Sequence, residues 1–165
     1  MGNLSEHFSS KDFICNCPDC RGREYRIHLG LVGALEAIYE NFKKPIKIVK
    51  GYWCDDYNEK NNSGKKSTHN QGKAVHIAIE GVPPAEIIKF AETLPELRGI
   101  GYYPEDGSVH LDTRRDDRVE WIKERGSYHA FTTEKRHALG LPPLQAPVPT
   151  PAPAPTPTPN ETSGA

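Results

Sequence analysis

The sequence contains no apolar run approaching the roughly 20 residues that a membrane-spanning helix needs, and its mean hydropathy is −0.67. Its N-terminal sequence, MGNLSEHFSS, lacks the apolar core of a secretion signal. These two absences predict a chain that is made as a soluble protein and does not insert into a membrane. They leave open the compartment in which the protein acts.

An excess of charge of one sign is also missing, because 21 basic side chains stand against 22 acidic ones, for a net charge of −1. Such a chain has no overall field that would attract nucleic acid. Four lysines, Lys60, Lys65, Lys66 and Lys73, cluster in one polar stretch. That cluster is more typical of a solvated loop than of a nucleic-acid patch. The sequence shows no internal repeat, and we expect a monomer without a nucleic-acid partner.

The C-terminal segment contains little besides Pro, Thr and Ala, with nine prolines between Pro142 and Pro159. Proline lacks a backbone N–H donor and fixes φ, so this segment cannot form a helix or a central strand. We predict that residues 141–165 are an extended tail or linker. Residues 1–140 then have the length of one ordinary domain.

The hydrophobic pattern of residues 1–140 changes repeatedly between helical and strand spacing. It predicts helices at 26–43 and 82–94, and strands at 46–53, 73–80, 98–104 and 107–114. The segment DDRVEWIKER, residues 116–125, begins acidic and ends basic, as a helix dipole prefers, and predicts a third helix. The tight PEDG turn implies that the last two strands pair antiparallel. The predicted class is α+β, with a mixed or antiparallel sheet packed with helices.

Three histidines share a distinctive setting. In the strand KAVHIAIE the β-branched residues fall on one face, and His76 lies between small alanines on the other. His110 has the same position in GSVHLDTR, with Asp112 two residues later, and His69 lies in the loop before the first of these strands. Three imidazoles can hold a zinc ion and leave its fourth position to water. The alternative is that all three are surface or hydrogen-bonded structural histidines.

Four cysteines are present, three of them in the short sequence CNCPDC. Cys15, Cys17 and Cys20 could supply a structural zinc ion, with Cys54 as a fourth ligand. Two disulfides, or four reduced thiols, are equally compatible with this spacing.

Four segments, SEHFSSKDFICNC, PIKIVKGYWCDDYN, STHNQGKAVHIAI and GIGYYPEDGSVHLDTR, occur in an order that resembles the zinc D-Ala-D-Ala carboxypeptidase family. That family includes phage endolysins and shares its fold with the hedgehog signalling domain. The resemblance covers about residues 4–125, and its most specific part is Ser-x-His-x-x-Gly-x-Ala-x-Asp followed by a distant His. It implies a hedgehog/D,D-peptidase-like single domain, with Zn²⁺ bound by His69, His76 and His110. It also implies a peptidoglycan-peptide substrate and action at the bacterial cell wall.

The sequence departs from the family pattern at three positions. His76 replaces the zinc-binding Asp of the family, and the sequence KGYW replaces Ser-Gly-Tyr-Arg, so that Trp53 occupies the position of an arginine. Gly107 occupies the position of an acid that several relatives carry three residues before the last His. Lys50 is the candidate to supply the missing positive charge, or it is a lysine on an exposed strand end. Asp112 is the first candidate for the general base, or it orients a histidine or pairs with a neighbouring arginine.

Two functions follow from these observations. The first is a zinc-dependent peptidase that hydrolyses D-amino-acid-containing bonds of peptidoglycan, as a D,D-carboxypeptidase or endopeptidase. Tyr52, Trp53 and Tyr103 would line its peptide groove, or else belong to the core. The second is a catalytically weak or inactive relative that binds cell-wall peptide or a protein partner, which the three departures favour. A structural component of a phage particle is a third alternative that no residue demands.

Overall fold

In the computed structural model, residues 2–20, 25–61 and 67–144 are described, and they form six β-strands and four α-helices. Two short 3₁₀ helices, Ser10–Phe13 and Pro18–Cys20, come first. The remaining elements are α1 (Leu29–Phe42), β1 (Ile46–Lys50), α2 (Asp55–Asn61), β2 (Ala74–Ile79), α3 (Pro84–Ala91), β3 (Gly99–Tyr103), β4 (Ser108–Asp112), β5 (Val119–Glu124), β6 (Ser127–Ala130) and α4 (Thr133–Ala138). The predicted tail lies almost wholly outside the described residues.

All six strands form one sheet in the order β1–β2–β4–β3–β5–β6. Neighbouring strands pair antiparallel, except that β5 runs parallel to β3. The predicted α+β class with a mixed sheet is therefore confirmed. The antiparallel pairing that the PEDG turn predicted is also present, as β3 and β4. None of the described helices is both long enough and apolar enough to cross a bilayer.

The register of the strands gives the sheet one apolar face and one polar face. Ile77 on β2 lies opposite Ile48 on β1, and Val75 lies opposite Leu111 on β4, so the aliphatic residues of successive strands share a face. Helices α1 and α3 pack against this face and complete a single core. Burial of such aliphatic side chains supplies about 25 cal/mol for each Å² removed from water.

The opposite side of the sheet is the histidine face. Its side chains alternate with those of the core, as the pleat of a strand requires. Its main members are Lys50, His76, Tyr103, His110, Asp112, Trp121, Lys123 and Tyr128. All of the chemically active side chains that the sequence singled out on strands therefore face the same way.

The helix predicted for residues 116–125 is wrong, because this segment contains the strand β5. Trp121 pairs with Gly101 of β3 and with Ala130 of β6, so the strand is held from both sides. The hairpin to β6 turns at Arg125 and Gly126, which both have positive φ, as a two-residue hairpin turn favours. Sheet pairing with distant residues outweighs the weak preference that the charge pattern expressed for a helix.

A buried arginine ties the C-terminal helix α4 to the rest of the domain. Arg136 is 1% exposed, and its guanidinium reaches Glu120 of β5 and Glu92 at the end of α3, each at 2.6 Å. Its Nε donates to the carbonyl oxygen of Pro142 at 2.7 Å. The arrangement puts two carboxylates and one cation together on the side of the sheet away from the histidines. Neither α4 nor this cluster was predicted from the sequence.

We expect the Glu120 carboxyl to make the stability of the protein depend on pH. Burial, followed by the charge of Glu92, raises the pKa of Glu120 from 4.5 to about 7. The folded protein then holds this proton more tightly than the unfolded chain, so the free energy of unfolding falls as pH rises from about 4.5 to about 7. Urea unfolding across this window should show a steeper fall for the wild type than for Glu120→Gln. The exposed control Glu96→Gln should keep the wild-type slope, and equal slopes in all three proteins would contradict the assignment.

Candidate metal centre and active-site cleft

Two strands and one turn bring the three predicted histidines together. His76 and His110 lie directly opposite each other on β2 and β4, a relation that places Cβ atoms about 5 Å apart. His69 comes from the turn before β2, where Gly72 has φ +66°, a conformation that glycine adopts without steric cost. A Cβ at Gly72 would also lie 1.9 Å from the carbonyl oxygen of Arg26. This turn therefore depends on glycine to return the chain to the sheet.

One ring nitrogen from each histidine points to a common centre. His110 Nδ1 lies 3.2 Å from His69 Nε2 and 3.3 Å from His76 Nε2. The three ligating atoms all lie within 4.8 Å of one another, and all three residues are buried. Tetrahedral zinc with bonds of about 2.0 Å needs ligand nitrogens roughly 3.3 Å apart. The donor set therefore suits a zinc ion in chemistry, and the two distances from His110 Nδ1 match the spacing that zinc needs.

The second ring nitrogen of each histidine is held by an oxygen atom. His69 Nδ1 donates to the carbonyl oxygen of Gly51 at 2.8 Å, and His110 Nε2 donates to Asp112 Oδ2 at 2.9 Å. His76 Nδ1 lies 3.1 Å from Ser108 Oγ, which itself donates to Asp106 and so accepts from the ring. These partners fix the protons on the outer nitrogens, which leaves lone pairs on the converging ones.

Two members of the histidine cluster, His69 and His76, are uncharged at ordinary pH. Burial, followed by the nearby His110, lowers the pKa of His69 to about 3. The same two causes lower the pKa of His76 well below its usual range. Uncharged imidazole is the form that binds metal, so His69 and His76 need not lose a proton on binding.

Asp112 is placed behind His110 and is fully buried. One of its oxygens accepts from His110 Nε2, and the guanidinium of Arg114 donates to both oxygens at 2.9 and 2.6 Å. Although burial works the other way, the Arg114 hydrogen bonds and those from His110 hold the pKa of Asp112 well below its usual range. A carboxylate so occupied is poorly suited to accept a proton from water. The geometry favours the orienting role predicted for Asp112, together with the arginine pairing, over general-base catalysis.

Two glycines of β3 make room for the groups around His110. A Cβ at Gly99 would lie 2.1 Å from Asp112 Oδ2, and a Cβ at Gly101 would lie 2.4 Å from the indole ring of Trp121. Trp121 in turn packs against His110, with ring centroids 4.9 Å apart. The Gly-x-Gly sequence of β3 thus allows a carboxylate and an indole to flank the same imidazole.

Two of the three predicted substrate-groove aromatics lie against the histidine cluster. Trp53 stacks on His69 with ring centroids 4.5 Å apart, and Tyr103 packs edge-on against His76 at 4.4 Å. Tyr52 does not join them. It stacks on Tyr25 at 4.9 Å and packs against the cysteine cluster. Successive residues of an extended segment face opposite ways, so Tyr52 and Trp53 cannot both reach the cleft.

Lys50 reaches the histidine face because the register between β1 and β2 shifts. The pairing changes between Ile48 and Lys50, so that Lys50 lies opposite His76. Its Nζ forms an ion pair with Asp106 Oδ2 at 3.3 Å and lies 5.5 Å from the centre of the Tyr103 ring. Gly107, at the position of the family acid, has φ +68° in the turn. The neighbouring Asp106 is therefore the turn carboxylate nearest to the site, and it is engaged with Ser108 and Lys50.

A cleft of about 560 Å³ opens above the three histidines, and cationic side chains outnumber carboxylates in its lining, although Lys50 and Arg114 are paired with Asp106 and Asp112. Its described lining has one carboxylate, Asp116. Its cationic side chains are Lys50, Lys73, Arg114, Arg115 and Lys123. Clefts lined by one sign of charge attract ligands of the opposite sign. The cleft is therefore suited to a ligand that carries carboxylate groups.

Sequence reasoning missed a substantial part of this cleft wall. Trp121 and Lys123 were assigned to a helix, and Tyr128 belongs to a strand that was not predicted, yet all three line the cleft. The alternation of Val, Trp and Lys with Glu and Ile in VEWIKE was the available strand signal. Asp116, in the loop before β5, had no local pattern that would have identified it.

The cysteines also come together, on the other side of the segment that carries Trp53. The sulfur atoms of Cys15, Cys20 and Cys54 lie within 4.8 Å of one another. Cys17 is buried in the same cluster. All four thiols are free of disulfide bonds.

Comparison with known proteins identifies the class to which this fold and this site belong. A family model described as Peptidase M15 matches residues 6–112. The chain belongs to the peptidase M15 family, the zinc D-Ala-D-Ala carboxypeptidase-type metallopeptidases that its motifs resemble.

The curated relatives that it matches carry more specific names. It is 36% identical over 76 residues to peptidoglycan L,D-endopeptidase MepK of Escherichia coli strain K12, a match that covers 43% of this chain and 41% of that protein. A probable peptidoglycan L,D-endopeptidase MepK of Haemophilus influenzae is 34% identical over 73 residues, which is 41% of this chain and 39% of the relative. The chain thus spans about two fifths of the length of these relatives. No solved structure gave a significant match.

Proposed function

We propose that this protein is a zinc-dependent peptidase that hydrolyses D-amino-acid-containing peptide bonds of bacterial peptidoglycan. The observation that carries the proposal is the convergence of three buried imidazoles beneath an open cleft. Membership of the peptidase M15 family and the peptidoglycan-cleaving names of the matched relatives support the same reading. In this proposal the protein acts as a monomer at the bacterial cell wall.

His69, His76 and His110 would hold the zinc ion through Nε2, Nε2 and Nδ1 respectively. Zinc in such a site would supply a Lewis acid that polarises the scissile carbonyl and acidifies water. Replacing the family aspartate with His76 removes one negative charge from the ligand set, so the bound metal would be the stronger Lewis acid.

Four residues of the chain would have the remaining roles in the reaction. Asp112 keeps His110 in the tautomer that presents Nδ1 to the metal, because it accepts the proton on Nε2. Trp53 holds His69 by stacking on its ring. Lys50, which faces His76 across the strand pair, would steady a substrate oxygen in place of the missing arginine. Asp116 is the carboxylate of the described cleft lining that would accept a proton.

The positive lining of the cleft favours peptide substrates that carry carboxylates. A carboxypeptidase substrate presents a free C-terminal carboxylate next to the scissile bond, and an endopeptidase substrate needs carboxylates elsewhere on its stem peptide. Arg115 offers the planar, bidentate geometry that suits a carboxylate, whereas the guanidinium of Arg114 is already paired with Asp112. Because the matched relatives are named L,D-endopeptidases, an L,D bond is the second candidate for cleavage by this same site.

Metal removal tests the proposal. Defined muropeptides that contain L,D and D,D bonds are incubated with the protein, and the products are identified by mass spectrometry. We expect cleavage to disappear after dialysis against a chelator and to return when zinc, but not magnesium, is added back, since imidazole ligands favour zinc. The products then show which bond is cut.

Two other outcomes would contradict the proposal. Full activity after complete removal of zinc would exclude a zinc-dependent mechanism. A zinc-loaded protein that binds muropeptides without cleaving them would establish the alternative, a binding module. The departures at His76, Trp53 and Gly107 make this alternative worth measuring, and equilibrium binding of the same muropeptides provides the measurement.

A further inference from the structure

A second group of metal-ligating side chains lies outside the cleft and takes no part in the proposed reaction. Three of its cysteines come from the N-terminal segment, Cys15, Cys17 and Cys20, and the fourth, Cys54, precedes α2. All four are buried, with exposures between 3% and 7%, and Tyr52 and Tyr57 pack against them. Four buried thiols that do not form disulfides need a physical account.

The sulfur positions fit one metal ion. Cys15, Cys20 and Cys54 present sulfur atoms that all lie within 4.8 Å of one another. Zinc–sulfur bonds of about 2.3 Å at tetrahedral angles place ligand sulfurs roughly 3.8 Å apart. A disulfide would instead bring one pair to about 2.05 Å and leave the third thiol of the triangle unpaired.

Backbone N–H groups already point at two of these sulfurs. The N–H of Cys54 donates to Cys15 Sγ at 3.4 Å, and the N–H of Tyr57 donates to Cys54 Sγ, also at 3.4 Å. Hydrogen bonds of this kind stabilise negative charge on sulfur, which a metal-bound thiolate has and a disulfide lacks. These two N–H groups therefore suit thiolates at Cys15 and Cys54.

We propose that Cys15, Cys20 and Cys54, completed by Cys17 as the fourth ligand, bind a structural zinc ion distinct from the one at the histidines. Four thiolates form a closed tetrahedral site without an open position for water, so this ion has a structural role. Cys17 lies in the same buried cluster, where its thiol donates to Asp19 at 3.9 Å. On metal binding, the Cys17 thiol exchanges this contact for the ion.

The cysteine site would stabilise the chain segment that orients a histidine of the proposed catalytic centre. Residues 51–55 run between the two clusters. On one side Gly51 accepts from His69 Nδ1 at 2.8 Å and the N–H of Trp53 donates to the carbonyl oxygen of His69 at 3.3 Å. On the other side Cys54 joins the cysteine cluster. A metal ion there fixes the segment that orients His69 and closes a loop between residues 39 positions apart.

Elemental analysis of the full chain, purified without added metal, tests the proposal. We expect about two zinc ions in the wild type and about one in the double variant His69→Ala/His110→Ala, because only the histidine site is lost. Adding Cys20→Ser to that double variant should remove the remaining ion. In the wild-type background, Cys20→Ser should keep the histidine zinc and lower the melting temperature by about 10 °C, as expected for the loss of a cross-link.

If the Cys20→Ser variant fails to fold, a cobalt spectrum still tests the proposal, because this measurement leaves all four cysteines unchanged. Cobalt exchanged into His69→Ala/His110→Ala should show an intense sulfur-to-metal charge-transfer band in the near ultraviolet. Three results would overturn the proposal: a double histidine variant without zinc, zinc that survives when Cys20→Ser is added to that double variant, or an intact mass under non-reducing conditions that reveals disulfides. Failure of the proposed peptidase would look different, since the cysteine zinc would then remain in a protein that cleaves nothing.

Discussion

His110→Ala should reduce peptidase turnover by at least about 10³-fold, because loss of the metal removes several kcal/mol of transition-state stabilisation. His110 is the central member of the cluster, since its Nδ1 lies 3.2 Å from His69 Nε2 and 3.3 Å from His76 Nε2. Alanine there leaves two imidazoles, too few for a stable catalytic zinc site. Steady-state cleavage of muropeptides and zinc content of the same preparation provide the measurement.

The matched control for His110→Ala is His129→Ala. His129 lies on the edge strand β6, and it is exposed. Its loss should leave both zinc content and turnover unchanged. His69→Ala should cause the same loss of zinc and of turnover as His110→Ala. Because His69 lies in a turn and not in a strand, agreement between the two variants separates loss of the metal from damage to the sheet. Turnover within about tenfold of the wild type in a folded His110→Ala protein would exclude the three-histidine centre as the catalytic site.

Arg136→Ala should lower the free energy of unfolding by about 3–5 kcal/mol at a pH above 7, the range typical of a buried ion pair that loses one partner. The variant leaves Glu92 and Glu120 close together without the cation that each contacts at 2.6 Å. It also removes the anchor by which α4 attaches to β5. Urea unfolding monitored by circular dichroism provides the measurement.

A neighbouring ion pair supplies the control for Arg136→Ala. Lys135 lies on the same helix and pairs with Glu124, but both side chains are partly exposed. Exposed pairs contribute about 0–1 kcal/mol, so Lys135→Ala should have little effect. Adding Glu120→Gln to Arg136→Ala should recover part of the loss, because one of the two uncompensated carboxylates is then gone. Equal, small effects of Arg136→Ala and Lys135→Ala would show that the cluster does not hold the domain together.

Local sequence patterns were sufficient to predict much of the fold. The apolar period of α1, the proline that begins α3 and the alternation in β2 and β4 each follow from side chains within one element. The same alternation placed His76 and His110 on the face away from the core, so the candidate site could be predicted from the sequence. Gly72, three residues after His69, indicated the turn, since few other residues adopt positive φ.

The error at residues 116–125 shows where this reasoning fails. The acidic start and basic end of that segment are local features worth a few tenths of a kcal/mol each. The strand β5 instead depends on β3, which precedes it by about twenty residues, and on β6. Pairing with distant residues cannot be deduced from the segment itself, so Trp121 and Lys123 were not recognised as parts of the cleft.

The sequence by itself determined the class of fold, the three histidines and the four cysteines, because each rests on residue type and on spacing within a short segment. Only the tertiary structure decided how these groups meet. Strand register set His76 opposite His110, the shift in β1 turned Lys50 toward the site, and the pairing of β5 with β3 brought Trp121 against His110. Each of these depends on contacts between segments that are remote in the chain, and no local pattern encodes such contacts.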